Sequence, residues 1–262
     1  MKKKIFYYTD ELKDDFAETV KNLQPLPKDY KYIHDTWYEK LLGFIAYRLL
    51  LTPFAWVYVK LKFGQKFVRS KQSKKLKRGH FIYSTHTLPL ADVFLPNLIT
   101  LKRKNYLMAG EQANSLRKLL GVMRSIGSIP ITGNASKNRE MLRCLKTRLA
   151  QNSSVTIFPE AHVWTFYTKI RPYPVTSFKY AVMLDAPVLA MTNCFQKRKF
   201  RKTPKVITFI DGPFYPDPTL DKQARAEKLH RQVYETMQER AKEYSTYSPY
   251  TYIKKEERID NK

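Results

Sequence analysis

Residues 81–100 read FIYSTHTLPLADVFLPNLIT: a short apolar run, a polar break holding one histidine, and a longer apolar run opening on Asp92. Phe81–Ser84 is too brief for a helix and suits a strand buried on both faces, whereas Asp92–Thr100 has the length and content of a helix. The alternation continues downstream. Tyr106–Ala109, Ser128–Ile131, Val155–Phe158, Val188–Thr192 and Val206–Ile210 are predicted strands. Asn114–Ile126, Asn134–Ala150 and Ser177–Leu184 are predicted helices, with Asn114, Asn134 and Ser177 as candidate N-caps. Strands alternating with helices imply an α/β domain with a largely parallel central sheet flanked by helices. A last helix near Leu220–Tyr244 closes it, and Tyr247–Lys262 carries too little apolar pattern to assign.

Upstream the pattern differs, which divides the chain into an N-terminal helical region with a basic hinge (1–78), the α/β domain (79–246) and a tail (247–262). Leu12, Phe16, Val20 and Leu23 fall on one helical face before Pro25 and Pro27 stop the pattern. Met1–Phe6 has a lysine cluster, but acidic residues follow where a secretory signal needs its apolar core, so no such signal is expected. Leu41–Val59 (LLGFIAYRLLLTPFAWVYV) is about as long as a membrane span, yet Arg48 and Pro53 interrupt it. Pro53 should kink or split it. Its aromatics and lysines suit a membrane-docking helix pair lying in the headgroup layer of an anionic leaflet, the alternative being a helix packed on the domain with a solvated basic face. Arg69–Arg78 (RSKQSKKLKR) reads as a linker.

Composition narrows the function classes. The 262 residues carry 48 Lys plus Arg against 23 Asp plus Glu, a net charge of +25, so the partners are expected to be anionic. At 43% hydrophobic and 14% aromatic the chain is too apolar for a disordered basic protein. Its 8 glycines form neither nucleotide-cradling loop pattern, and Cys144 and Cys194 form no C-x-x-C, so no cofactor and no metal site is expected.

In parallel sheets ligands sit at the carboxyl ends of the strands. The first strand there runs into Ser84-Thr85-His86, with Asp92 opening the next helix. This pair would give a base with a fixed tautomer; it also fits a helix N-cap beside a satisfied core histidine. The strand at Val155 ends in Phe158-Pro159-Glu160-Ala161-His162, and the strand at Ser128 in Thr132-Gly133-Asn134, followed by Lys137 and Arg139. In order and spacing these segments, with Gly127–Ile131 and Ala186–Ala190, resemble the motifs of the glycerolipid acyltransferase superfamily, typified by lysophosphatidate acyltransferase. The resemblance covers roughly residues 80–195, and the aromatic segment upstream is similar to that family's membrane-docking helix pair.

The resemblance implies an O-acyltransferase that moves a fatty acyl group from acyl-CoA or acyl carrier protein to a lysophospholipid hydroxyl, at the cytoplasmic face of a membrane. It implies His86 as general base and Asp92 as its orienting partner, with Glu160 bracing the acceptor site. Departures bear mainly on the acceptor. Five residues separate His86 and Asp92 where the family has four, Ala161 and His162 replace Gly and Thr, and Val163 and Thr132-Gly133 stand where the family's phosphate-holding arginines would be. Lys137, Arg139, Lys169 and Arg171 are the remaining candidate cations, and Arg171 is the expected substitute for the third-motif arginine. Thr132 and His162 complete the candidate acceptor contacts. Competing readings are an acyltransferase for a glycolipid or lipoamino acid, and a noncatalytic lipid-binding relative. Basic residues interleaved with aromatics also fit nucleic-acid binding, but that class leaves the ordered motifs unexplained, so no nucleic-acid partner is expected.

Overall fold

The structure is a computed structural model that describes residues 3–16, 26–27, 30–33, 36–100, 103–110 and 127–255. In chain order its elements are β1 (Lys4–Tyr8), α1 (Trp37–Phe44), a π-helical segment (Ile45–Leu51), α2 (Thr52–Phe63), β2 (Lys66–Arg69), α3 (Lys71–Lys75) and β3 (His80–Ser84). Then come α4 (Ala91–Ile99), β4 (Asn105–Ala109), β5 (Ser128–Pro130), α5 (Ala135–Ala150) and β6 (Ser154–Ile157). The last are α6 (Phe178–Met183), β7 (Val188–Arg198), β8 (Arg201–Phe214), α7 (Lys222–Tyr244) and β9 (Tyr250–Lys254). Of the helix expected over residues 10–23, residues 10–16 are turns and loop, and 17–23 lie outside the described residues, as does the helix expected at Asn114–Ile126.

Seven strands form one sheet in the order β2-β8-β7-β3-β6-β4-β5. The five from β7 to β5 are parallel, and β8 runs against β7 with β2 parallel to β8. Alternate side chains feed two cores, as strand geometry requires. Phe81 and Tyr83 join one with α5, α6 and α7; Ile82, Leu189 and Met191 join the other with α2 and α4. The five parallel strands therefore sit between helical layers and are largely buried on both faces. Asn134 caps α5 by accepting from Ser136 and Lys137 N–H, whereas the Ser177 side chain makes no capping bond.

Three readings change. Arg69–Arg78 is not a free linker: β2 ends at Arg69 as the sheet edge, and Ser70 caps α3 through the Ser73 N–H. The strands predicted to end at Thr192 and Ile210 extend into a long antiparallel hairpin, because its polar outer half carries no apolar run to read. Pro53 does not separate two helices. It sits in the first turn of α2, where a missing N–H costs least, and the wide π turn runs into it without a break.

That helical run is fixed by one face. Ala55, Val59 and Phe63 pack with Phe94, Leu95 and Leu98 of α4. The buried Tyr47 hydroxyl donates to Asn97 Oδ1 (2.7 Å) and accepts from Asn105 N (3.0 Å), and Arg48 donates to the Arg103 carbonyl (2.8 Å). The arginine that interrupts the apolar run thus points to the domain. Leu42, Leu50, Phe54, Trp56 and Leu61 remain exposed, each by more than half. Leu41–Phe63 is long and apolar enough to cross a membrane, and with one side packed on the domain it presents the other for docking.

Away from the main sheet, β1 pairs with β9 in parallel, Lys4 opposite Tyr250. Phe6, Tyr8, Phe16, Trp164 and Tyr252 cluster there with ring centroids 4.8–5.4 Å apart.

At the start of β3, His80 is buried, with Nδ1 3.0 Å from the Arg78 carbonyl. Burial lowers its pKa from 6.5 to about 4. The unfolded chain therefore binds the extra proton first as pH falls, so stability should drop between pH 6.5 and about 4 and level off below. The depression corresponds to about 3 kcal/mol. Urea unfolding of His80→Gln across this window should show a shallower acid limb; an identical limb in both proteins would remove His80 as its cause.

Candidate active site

β3 and β6 end together beside the middle of β7, which brings the candidate residues to one end of the parallel strands. His86 follows β3, and its Nδ1 lies 3.0 Å from Asp92 Oδ2. The five intervening residues are absorbed by a turn at Pro89-Leu90, closed by Asp92 N donating to the Leu88 carbonyl (2.9 Å) and Leu88 N donating to Asp92 Oδ2 (2.8 Å). Asp92 thus binds the loop that carries the histidine. The Asp92 side chain is 0% exposed and that of His86 16%, so the imidazole alone of the pair reaches solvent. Burial pushes the Asp92 carboxyl up, opposed by His86 and the Leu88 and Thr87 N–H groups. The Phe158 ring stacks on the imidazole at 4.3 Å and 16°.

Behind Asp92 runs a hydrogen-bond chain through the sheet. Gln65 Nε2 donates to the Lys66 carbonyl (3.2 Å) and to Thr208 Oγ1 (2.7 Å). Thr208 donates to Asn193 Oδ1 (2.7 Å), and Asn193 Nδ2 donates to Asp92 Oδ1 (3.0 Å). A carbonyl can only accept, so the Lys66 oxygen sets the sense of every bond from Gln65 to Asp92. All four residues are buried. Asn193→Ala would leave the Thr208 hydroxyl without its acceptor and Asp92 short of a donor, a cost of about 1–3 kcal/mol. Urea denaturation measures it, and an unchanged midpoint would show that the relay does not hold Asp92.

Glu160 follows β6 and is buried. Its Oε2 accepts from His86 N (3.2 Å) and its Oε1 from Arg171 N (3.2 Å), so it joins the histidine's backbone to the loop beyond β6. Burial raises this carboxyl too, with Arg171 the largest opposing influence. Arg171 does not stand at an open phosphate site. Its side chain is 1% exposed, 3.5 Å from Glu160 Oε2, stacked over Trp164 at 4.9 Å, and donates to the carbonyls of Glu11, Glu160 and His162. The charge of buried Glu160 draws it inward. Ala161, where the resemblance has glycine, takes φ 60°, a left-handed conformation that glycine adopts with less strain.

The other candidates are more scattered. His162 Nδ1 lies 3.4 Å from Asp15 Oδ2, and Asp15 also accepts from Val163 N (3.3 Å). Lys169 is exposed. Thr132, Lys137 and Arg139 follow β5, three strands or about 14 Å from β3. Thr132 Oγ1 accepts from Asn134 N, Lys137 donates to Tyr30 O and Glu140, and Arg139 is exposed. Unforeseen were Gln65, Asn193 and Thr208. The one sequence signal was Thr192-Asn193, two polar residues inside the apolar run of β7.

No protein-family model and no curated protein sequence matches the chain. The fold is similar to that in the crystal structure of the 1-acyl-sn-glycerophosphate (LPA) acyltransferase PlsC from Thermotoga maritima. The TM-score is 0.57 at 19% identity, over 80% of this chain and 85% of that one. What the two chains share on this measure is the fold, a mostly parallel sheet between helical layers.

Proposed function

We propose that the protein is an O-acyltransferase of phospholipid biosynthesis. It moves a fatty acyl group from acyl-CoA or acyl carrier protein to the hydroxyl of a lysophospholipid such as 1-acyl-glycerol-3-phosphate. The observation that carries this reading is the His86–Asp92 pair, 3.0 Å apart at the carboxyl ends of parallel strands. Asp92 fixes a proton on Nδ1, which leaves Nε2 as the acceptor for the substrate hydroxyl's proton. The alkoxide oxygen bonds to the thioester carbonyl carbon, the tetrahedral intermediate collapses, and the carbon–sulfur bond breaks. The leaving thiolate takes the proton back from the imidazolium, so no covalent enzyme intermediate is needed.

The exposed face of Leu41–Phe63 supports peripheral or monotopic attachment, on the cytoplasmic side where acyl-CoA and acyl carrier protein occur. Lys169, Lys137 and Arg139 are the cations left for an anionic acceptor. The burial of Arg171 and the His162–Asp15 pair beside Glu160 favour a second reading, a non-phosphorylated alcohol on a glycolipid or lipoamino acid. Incubation with a labelled acyl thioester and a panel of lysophosphatidate, other lysophospholipids and neutral or amino-bearing lipid alcohols tests both. Product from lysophosphatidate supports the first reading, product from the phosphate-free alcohols alone supports the second, and no product with any acceptor rejects acyl transfer.

A further inference from the structure

We propose that the tip of the β7–β8 hairpin is a second membrane-binding element, which inserts Phe200 into an anionic leaflet beside the apolar helix. The tip reads Gln196-Lys197-Arg198-Lys199-Phe200-Arg201-Lys202. Phe200 is 88% exposed, the most exposed of the large apolar side chains described, and Lys199 Nζ lies 5.4 Å from its ring centre. A phenylalanine so exposed buries almost none of its ring within this chain.

The tip is tied to the helix. Arg198 donates to the Lys62 carbonyl (2.9 Å) and Arg201 to the Leu61 carbonyl (2.8 Å), so two guanidiniums hold carbonyls that the end of α2 leaves unpaired. Gly64, the left-handed residue that ends α2, lies against the Arg198 guanidinium, where an added Cβ would come within 3.6 Å. Leu61, two-thirds exposed, therefore sits where hairpin and helix meet. Lys60, Lys62, Lys66, Lys197, Lys199 and Lys202 are all exposed around them. No acidic residue occurs from Leu41 to Ala91 or from Ala186 to Ile210. An apolar face continued by a ring in a field of lysines complements a bilayer with anionic headgroups.

The inference rests on the peripheral-membrane reading, and its test uses binding alone, with no appeal to acyl transfer. The full chain is sedimented with vesicles of phosphatidylcholine, and with vesicles of equimolar phosphatidylcholine and phosphatidylglycerol. Replacing Lys197, Lys199 and Lys202 together by Gln should weaken binding to the anionic vesicles on the order of 100-fold. The same change in net charge on the opposite face of the sheet, at Lys222, Arg231 and Lys242 of α7, should have much less effect. Phe200→Trp should gain fluorescence quenching by brominated lipid beyond that of the native tryptophans. Equal losses from both triple variants, or no added quenching, overturn the inference while leaving helix attachment standing. Unchanged vesicle binding in the hairpin variant also overturns it and points to an acidic protein as the tip's partner. Failure of the unaltered chain to bind either vesicle sinks both the inference and the membrane reading.

Discussion

With His86 replaced by alanine, acyl transfer from a thioester to the lipid hydroxyl is expected to fall by about 10²- to 10⁴-fold, to the level left by substrate positioning alone. The fold should survive. His86 packs on Phe158 and meets Asp92, but Asp92 keeps the Leu88 N–H and the Asn193 amide as donors, and Glu160 still accepts from the backbone N–H of residue 86. The imidazole is thus separable from the frame that holds it. Circular dichroism and urea unfolding would establish the folded state, and a folded variant with full activity would dispose of the mechanism. Asp92→Asn is a sharper probe. It keeps the shape but presents no carboxylate to Nδ1, so the proton is free to move to Nε2 and block the position that must accept one.

Arg171→Ala is expected to cost about 3–5 kcal/mol of stability, because it leaves the buried Glu160 carboxylate without its countercharge. The loss reaches further than one ion pair, since Arg171 also satisfies the carbonyls of Glu11, Glu160 and His162. Removing both charges with Glu160→Gln and Arg171→Met should be less damaging than Arg171→Ala alone. Urea midpoints of the wild type and the variants measure this. If Arg171→Ala unfolded like wild type while its apparent affinity for a phosphorylated acceptor fell, Arg171 would be a phosphate ligand and the buried arrangement would not describe the working enzyme.

The parallel strands were legible because they are buried on both faces and read as short, mostly apolar runs bounded by polar residues. His86 and Asp92 were legible for a related reason: short-range spacing places both at one strand end, and a turn of two residues takes up the additional residue. What escaped was long-range. β1 and β9 alternate no more clearly than a loop, and their pairing spans almost the whole described chain. Asn193 and Thr208 look like ordinary strand residues until the antiparallel register sets them opposite one another. Arg171 was misread for a local reason, since sequence shows that a cation lies near Glu160 but not that the carboxylate is buried and draws it inward.

The β1–β9 pairing has a consequence in time. During synthesis, β1 is made first and must wait for Tyr250–Lys254, while the apolar segment 41–63 and the loop carrying His86 already exist. The hydroxyl of Tyr252 donates to the Thr165 carbonyl, Trp164 N donates to the His86 carbonyl, and Phe166 N to that of Thr87. A nascent chain stopped before residue 250 therefore has its histidine but lacks the strand that secures the loop over it. Because such distant pairings form late, the apolar helix is available to meet a membrane or a chaperone throughout the interval in which the loop carrying His86 is still unbraced.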